Sequence, residues 1–600
     1  MLKSKVVMKN NIPCLFIEDK NVTPMAYTTY FEERSCYKDF LDVGYRIFFV
    51  NISMNKAPIN SAYTGITPFR IGAFENMDCP DYSEFEDAVN KILKECPDAI
   101  IFPRIYISMP KWWVDSHPDD VVSTPKGGYR EVLFSEAFRR DGARLIKKLV
   151  RHVKSSDYAP RIGGWQICGG QTQEWFHHDL NGSLCENAHR AYKKWIKENF
   201  GEDDACLPLL QEYEYNNEPA QTSENARRYS IFSNLGVAES VEFFAKTVKE
   251  ETNYEQVVGT FYGYSFESCN TALFGSHALR SLLESENLDF FSSPNAYTNF
   301  REFGIDWADM IPVDSVKHHS KLCFIECDIR TYLTTSIQEA RPNDFPDNVH
   351  QPSNGKSLWT GPETPVLSSY ALRKSFAHQL TKGSAVWWFD MWGGWYKDSL
   401  LMSELMKMKD IYDKNRGEKV NSLSPEVVFF ADESAYGNVY SASPQIKGIV
   451  ETRTAMGNIG APYDLCMVED APEVLKKYKV AVFPMPVASE TGKRVMKLCD
   501  ELGVAYISAS GEKPHITTEE ICDVLKKNNV HFYSNENDVV YAGNGYVALH
   551  SSKGGKKTLC LPSEFKVTPV FGANIEPQIT DTINFELIEN DTALFKVESL

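Results

Sequence analysis

LCFIECDIR, residues 322–330, is the stretch that best indicates the fold of this chain. Its first four residues are apolar, as in a strand buried on both faces of a parallel sheet, and Glu326 follows directly. Glu326, Asp328 and Arg330 alternate with other residues, so they share one face of the strand. The stretch therefore predicts a buried strand that ends in a row of charged side chains.

Short apolar runs of this kind recur through roughly the first 400 residues and alternate with longer stretches of helical periodicity. Ser135–Lys154 is an example of the latter, with apolar residues on one face among basic ones. Eight strand and helix units predict a (β/α)8 barrel, or TIM barrel, with its active site at the carboxyl ends of the strands. The predicted strands are Pro24–Thr29, Arg46–Asn51, Ala99–Ile105, Ile162–Ile167, Val257–Tyr262, Leu288–Ser292, Leu322–Cys327 and Ala385–Phe389.

The composition changes after about residue 415, because all 11 tryptophans lie at or before Trp395. We therefore predict a barrel domain at 1–415, an α/β domain at 416–535 and a β-sandwich domain at 536–600. In the α/β domain, Val427–Phe430, Val480–Phe483 and Val504–Ile507 are predicted strands of an open doubly wound sheet. This domain has no GxGxxG motif, so we do not predict a nucleotide site there.

The composition and sequence disfavour a nucleic-acid-binding, a secreted and a membrane-spanning protein. The net charge of -18 disfavours a nucleic-acid partner, because binding to phosphates needs a basic face. The amino terminus does not resemble a secretory signal, and no run approaches the roughly 20 apolar residues of a membrane span. The cysteines are scattered singly, as reduced thiols are. We expect a cytoplasmic protein without a membrane or nucleic-acid partner.

A second candidate carboxyl group follows the fourth predicted strand. The sequence GWQICGGQTQEW, residues 164–175, leads from the strand through a glycine turn to Glu174, which lies between Gln173 and Trp175. An aromatic neighbour and partial burial would raise the pKa of this carboxyl group, as a general acid requires. The alternative is an ordinary glutamate in a surface loop.

Glu174 and Glu326 together form the pair of carboxyl groups that hydrolysis of a glycosidic bond needs. One group protonates the departing oxygen, and the other attacks or stabilises the anomeric carbon. Arg330 could keep a carboxylate of the seventh strand ionised, which suits a nucleophile. A structural ion pair among the charged residues of this strand is the alternative.

Aromatic residues near the eighth strand predict a binding surface for a sugar ring. The sequence AVWWFDMWGGWY, residues 385–396, holds four tryptophans, of which Trp392, beyond the strand, is the predicted stacking platform. At least two of the others are expected to be core residues. Asn295 and Tyr297 follow the sixth strand, where a hydroxyl group could reach a nucleophile in the neighbouring strand.

Metal binding is the less favoured interpretation of the sequence His177-His178-Asp179. These residues have no matching cluster of ligands elsewhere, and the chain has no CxxC-type pair. We therefore predict neither a metal nor another cofactor.

These features together resemble glycoside hydrolase family 42, the β-galactosidase-like barrels of clan A, over nearly the whole chain. The resemblance implies a barrel, a flavodoxin-like trimerisation domain and a small β-sandwich, and hence a homotrimer. It also implies that Glu326 is the nucleophile and that Tyr297 is the tyrosine that hydrogen-bonds it. The resemblance rests on Met109–Trp113 with His117-Pro118, on Gly164–Ile167, on Arg453 with Gly460–Leu465, on Tyr478–Val480 and on Leu559–Pro562.

The chain departs from the family pattern at the acid/base position. Family members follow Trp-Gln-Ile with Asp-Asn-Glu, whereas here Cys168, Gly169 and Gly170 stand in those places. Glu174 comes four residues after the expected position, and we expect a longer turn to deliver it to the same place.

The predicted function is a retaining, exo-acting β-glycosidase that hydrolyses a terminal β-galactoside of a small oligosaccharide or glycoside. A β-mannosidase or β-glucosidase of the same architecture is an alternative. A carbohydrate-binding barrel without turnover and a middle domain that carries a flavin or nucleotide are further alternatives. The predicted substrate-binding residues are Gln173, Trp175, Asn295, Tyr297, Asp328, Arg330 and Trp392.

Overall fold

The computed structural model describes residues 1–56, 67–123, 129–177, 186–208, 212, 222–267, 276–342, 344, 360–415, 423–440 and 443–600. His178 and Asp179, from the disfavoured metal interpretation, and the predicted domain boundary at 415/416 lie at or outside the edges of these ranges.

Eight parallel strands close into a barrel, so the predicted fold class is confirmed. Each strand pairs with its neighbours in sequence, and the eighth pairs with the first to close the ring. The barrel strands, numbered first to eighth below, are Met25–Thr28, Ile47–Ser53, Ile100–Ile107, Gly164–Gly169, Val257–Phe261, Phe290–Pro294, Leu322–Cys327 and Ala385–Phe389. Their side chains are almost all buried, because helices cover the outside of the barrel and side chains from the other strands fill its inside.

Helices surround the barrel as the helical periodicity predicts. Glu136–Ser155 begins at Ser135, whose side chain accepts a hydrogen bond from the amide of Phe138, and it packs against Glu224–Glu251. The two helices approach closely at Gly142, where an added Cβ would lie 2.9 Å from Phe244. The other helices of this part of the chain are Tyr37–Asp42, Ser83–Glu95, Lys111–Ser116, Glu186–Phe200, Leu279–Leu283, Val313–His318, Ile337–Ala340, Pro365–Lys382 and Ser399–Lys414.

Aromatic side chains fill the interior of the barrel. Phe49 contacts Phe102, Phe290, Phe324 and Trp387, with ring centroids 5.0 to 6.1 Å apart. A small antiparallel sheet formed by Ser4–Lys9, Ile12–Ile17 and Lys20–Val22 lies against the amino ends of the strands, where Ser4 donates a backbone hydrogen bond to Glu255. In barrels of this class the ligand site lies at the opposite, carboxyl ends of the strands.

The middle of the chain forms a four-stranded parallel sheet in the order Tyr463–Met467, Val427–Ala431, Val480–Phe483, Ala505–Ser508. This order is that of a flavodoxin-like doubly wound sheet. Sequence reasoning missed the strand Tyr463–Met467, which begins with two polar, half-buried residues at the edge of the sheet. The helices of this region are Pro444–Met456, Ala471–Val474, Glu490–Leu502 and Thr518–Lys527.

The last part of the chain is an antiparallel sheet of five strands with its own apolar core. A small antiparallel β-sandwich was predicted here; a further antiparallel sheet domain is confirmed, and its five described strands belong to one hydrogen-bonded sheet. Its strands are Val539–Gly543, Tyr546–His550, Gly555–Phe571, Gln578–Leu587 and Thr592–Glu598, and the third is irregular between Cys560 and Phe565.

Within the described ranges, no helix combines the length and the apolar character that crossing a bilayer requires.

Candidate active site

Glu326 is the last residue but one of the seventh barrel strand, at the carboxyl edge of the barrel, in register with Pro294 of the sixth strand and Trp387 of the eighth. The residue is only 3% exposed. Burial raises the pKa of Glu326 well above its ordinary value, and the negative charges of Asp328 and Glu174 act in the same direction. Arg104 and Arg301 oppose the shift. Glu326 thus binds a proton more readily than a carboxyl group in water.

Glu174 lies on a tight turn that follows the fourth strand. The amide of Trp175 donates to the carbonyl of Gly169 at 2.7 Å, and Glu174 forms a parallel bridge with Gly169. Gly170, Thr172, Gln173 and Trp175 all have positive φ, between 54° and 71°. The turn therefore folds the chain back so that residue 174 lies beside the end of the strand that it has just left.

Glu174 is a half-buried residue, and its carboxyl group accepts hydrogen bonds from two hydroxyl groups. Tyr264, in the segment after the fifth strand, donates to Oε1 at 2.6 Å, and Thr172 donates to Oε2. Burial nevertheless raises the pKa of Glu174 to about 7, against the effect of both hydroxyl groups and of Arg104. A carboxyl group with this pKa holds its proton at neutral pH about half of the time, which suits an acid/base catalyst.

Arg104 and Tyr30 each interact electrostatically with both Glu174 and Glu326. Arg104 lies on the third strand, is 1% exposed, and its positive charge opposes the pKa shift of both Glu174 and Glu326. Burial raises the pKa of the Tyr30 hydroxyl group, and the negative charges of both glutamates act in the same direction. The guanidinium group of Arg104 also stacks over the ring of Trp387 at 4.9 Å. The two glutamates therefore share one electrostatic environment at the mouth of the barrel.

Sequence reasoning missed Arg104, Tyr30 and Tyr264. Arg104 gave a usable signal, because it is a charged residue inside the otherwise apolar third strand, IIFPRIYI. Tyr30 and Tyr264 gave none, since buried tyrosines are common in any core.

Asp328 is the centre of an ion-pair cluster beside Glu326. It is fully buried and pairs with Arg301 at 2.5 Å and with Arg330. Burial alone would raise the pKa of Asp328, but these two arginines hold that pKa below its ordinary value. Arg330 was predicted to keep a carboxylate ionised. The carboxylate that it pairs with is that of Asp328, whereas the pKa of Glu326 is raised.

Tyr297 reaches the seventh strand, but its hydroxyl group donates to Asp328 Oδ2 at 2.8 Å, where the family resemblance implied a bond to the nucleophile. The physical reason is that the pKa of Asp328 is lowered whereas that of Glu326 is raised, so Asp328 is the more readily ionised of the two and the better acceptor. Asn295 is 1% exposed, and its amide group donates to Asp309 at 3.0 Å and to the carbonyl of Trp307 at 3.2 Å.

Three other residues that were predicted to bind substrate are buried. Gln173 is 0% exposed, and neither polar atom of its amide group has a hydrogen-bond partner among the described residues. Trp175 is also 0% exposed, and its indole donates to Thr260 at 2.9 Å. Trp392 is 2% exposed and packs against Tyr30 and Phe31 with ring centroids 5.9 and 5.2 Å apart. These contacts are those of core residues, and binding roles for the three stay predictions.

His177 is 2% exposed and packs against the ring of Phe134. No group of three or more histidine, cysteine, aspartate or glutamate side chains is arranged to hold a metal ion in the part of the chain that the structure describes.

The chain resembles known β-galactosidases in one segment of sequence and in its fold. Residues 81–209 match the family model of glycoside hydrolase family 42, described as β-galactosidase. A β-galactosidase from Bacillus circulans sp. alkalophilus superposes with a TM-score of 0.62 at 12% identity, over 96% of this chain and 99% of that chain. The chain has the fold of these β-galactosidases.

Two further structures agree. A β-galactosidase from Rahnella sp. R3 has a TM-score of 0.60 at 10% identity, with 95% of this chain and 98% of that chain covered. An exo-carrageenase of family 42 from Bacteroides ovatus has a TM-score of 0.59 at 13% identity, with 100% of this chain and 85% of that chain covered. No curated protein sequence matches the chain. The similarity therefore lies in the fold and in one matched segment.

Proposed function

We propose that this chain is a retaining, exo-acting β-glycosidase in which Glu326 is the nucleophile and Glu174 is the acid/base. The observation that supports the proposal is the placement of the two carboxyl groups at the carboxyl ends of two barrel strands. Glu326 lies in the seventh strand next to its last residue, Glu174 forms a bridge with the last residue of the fourth strand, and the charge of Glu174 raises the pKa of Glu326. The family match over residues 81–209 and the shared fold support a glycosidase as the class of enzyme.

The proposed reaction has two steps. Glu326 attacks the anomeric carbon while Glu174 donates its proton to the departing oxygen, which leaves a glycosyl group esterified to Glu326. Glu174, now ionised, then removes a proton from water, and the water oxygen replaces Glu326 with overall retention of configuration. Tyr264 and Thr172 stabilise the ionised form of Glu174 between the two steps.

One proton shared between the two glutamates is the charge state that this reaction needs. Two buried carboxyl groups that repel each other do not ionise together easily, which favours a single proton on the pair. The proton must reside on Glu174 when the substrate reacts, so Glu326, whose pKa is itself raised by burial, must be ionised at that step. Arg104 favours the ionised form of both groups.

A β-galactoside is the first substrate to test, because the family model and two of the matching structures carry the name β-galactosidase. β-Mannosides and β-glucosides are the next choices. The homotrimer stays part of the proposal, and sedimentation of the purified protein measures it.

A carbohydrate-binding barrel without turnover is the second candidate. Gly170, at the position where the family has its acid, favours this candidate. Sugar binding by wild-type protein that hydrolyses no glycoside would support it.

The experiment begins with a panel of nitrophenyl β-glycosides and continues with the activated 2-deoxy-2-fluoro derivative of the best sugar. We expect covalent labelling of the peptide that contains Glu326, detected by mass spectrometry. Glu174→Gln should lose activity on poor leaving groups and keep far more of it on dinitrophenyl leaving groups, which need no protonation. Labelling elsewhere, or equal loss of activity on both kinds of leaving group, contradicts the assignments.

A further inference from the structure

Arg453 reaches from the middle domain into the barrel. It lies on the helix Pro444–Met456 and is 1% exposed. Its Nη1 atom pairs with Glu267 Oε2 at 2.5 Å and donates to the carbonyl of Phe266 at 3.1 Å, while Nη2 donates to the hydroxyl group of Thr298. One guanidinium group thus joins the segments that follow the fifth and sixth barrel strands.

The two side-chain partners of Arg453, Glu267 and Thr298, lead to the candidate active site. Glu267 accepts a hydrogen bond from the backbone amide of Tyr297 at 3.1 Å, and Thr298 is the next residue along the chain. The Tyr297 hydroxyl group in turn donates to Asp328, whose charge raises the pKa of Glu326. A continuous chain of contacts therefore links Arg453 to the environment of Glu326.

The segment between these contacts has a strained backbone. The short helical turn Thr298–Arg301 contains two residues other than glycine with positive φ, Asn299 at 46° and Arg301 at 59°. Such conformations persist only where surrounding contacts hold them, and they cluster at functional sites. On the barrel side, Arg301 holds the turn through the carbonyls of Ala296 and Asn295. On the side of the middle domain, Arg453 holds the turn through the hydroxyl group of Thr298.

We infer that Arg453 is a positioning residue of the middle domain: through Glu267 and Thr298 it fixes the turn that keeps the Tyr297 hydroxyl group on Asp328, beside the proposed nucleophile. The inference rests on the proposed function, because it gives the middle domain a part in the same reaction. It assigns this domain a role in catalysis besides any role in assembly.

The variants Arg453→Met and Arg453→Lys test the inference. Methionine removes all the contacts of the guanidinium group, and we expect kcat to fall roughly 10- to 100-fold with a smaller change in KM, since the turn is displaced while the sugar pocket remains. Lysine retains the charge opposite Glu267 and should recover part of the activity. Arg280→Met is the matched control, because Arg280 also joins the barrel to the middle domain, through Asp470 at 2.6 Å. It should lower stability and leave kcat of the folded enzyme unchanged.

Tyr297→Phe tests whether Arg453 acts through Tyr297. If it does, Arg453→Met should reduce kcat much less in the Tyr297→Phe background than in the wild-type enzyme. Equal reductions in the two backgrounds, or a wild-type kcat in Arg453→Met, would overturn the inference.

Hydrogen exchange separates this inference from the proposed function. In Arg453→Met, the amides of residues 296–301 should exchange faster than in wild type, whether or not the protein hydrolyses a glycoside. An inactive wild-type protein with this exchange pattern rejects the proposed function alone. Unchanged exchange at these residues rejects the positioning role, whatever the activity.

Discussion

Removal of the Tyr264 hydroxyl group should shift the pH dependence of the enzyme in a direction that the structure fixes. The hydroxyl group donates to Glu174 Oε1 at 2.6 Å and favours the ionised form of that carboxyl group. A hydrogen bond to a charged group contributes roughly 1.5–3 kcal/mol, and one pKa unit corresponds to about 1.4 kcal/mol. Tyr264→Phe should therefore raise the pKa of Glu174 by about 1 to 2 units, from its raised value of about 7.

The sign of the effect follows from the role of Glu174 as an acid. The group must be protonated to donate its proton, so kcat/KM falls as the pH rises through its pKa. In Tyr264→Phe the alkaline limb of the pH profile should move upward by the same 1 to 2 units or so. The second step, in which Glu174 acts as a base, should slow for the same reason.

The assay is the pH dependence of kcat/KM on a nitrophenyl glycoside between about pH 4 and 10. Tyr27→Phe is the matched control, since the Tyr27 hydroxyl group also donates to a buried carboxyl group, that of Asp390, at 2.8 Å. We expect it to reduce stability without moving the alkaline limb. An alkaline limb that stays in place or moves downward in Tyr264→Phe refutes the assignment of Glu174 as the acid.

Three further predictions concern stability. Glu326→Gln should raise the unfolding temperature at pH 7 to 8, because the raised pKa of the buried Glu326 makes its ionisation costly in the folded state. The gain should vanish near pH 4, where the carboxyl group is protonated in the folded and in the unfolded protein. Thermal scans at the two pH values measure the difference. Gly170→Ala should lose roughly 1–3 kcal/mol in urea unfolding, since φ is +66° and the new Cβ would lie 2.6 Å from the Phe176 carbonyl, and it should lose more than Gly201→Ala, where φ is +72° and no atom lies within 4 Å. Thr260→Val should cost about 1–3 kcal/mol in the same assay by leaving the buried Trp175 indole without its acceptor, and an unchanged midpoint would show that the indole finds another partner.

Local patterns in the sequence predicted the barrel well because each strand carries its own signal. The apolar run of the seventh strand was predicted as Leu322–Cys327, and the structure has the same bounds. The sixth strand was predicted two residues too early, since Leu288 and Asp289 lie before it and Pro294 ends it. Proline can stand at the end of a parallel strand because its missing amide hydrogen is not needed there.

The site was harder to predict, because its chemistry depends on partners that are distant in sequence. Glu326 and Asp328 were visible as charges at the end of a strand, but which of the two would be ionised depended on Arg301, 27 residues from Asp328. The pairing of Glu174 with Tyr264 likewise spans 90 residues. Periodicity reports which face of an element is buried and gives no information on which distant side chain meets it.

The turn after the fourth strand returns Glu174 to the end of that strand, although glycine stands at the position where the family resemblance implies the acid. The parallel bridge between Gly169 and Glu174 means that residues 170–173 form a closed loop, and the chain resumes beside the point where the strand ended. Tyr106 secures the loop by donating to the carbonyl of Gly170 at 3.0 Å. Because three of the four residues 170–173 have positive φ, the geometry of the loop depends on such contacts more than that of a regular strand end would. Glu174, the proposed acid, thus lies next to Tyr264, whose hydroxyl group favours the ionised form of Glu174 and should thereby lower the pH above which the acid loses its proton.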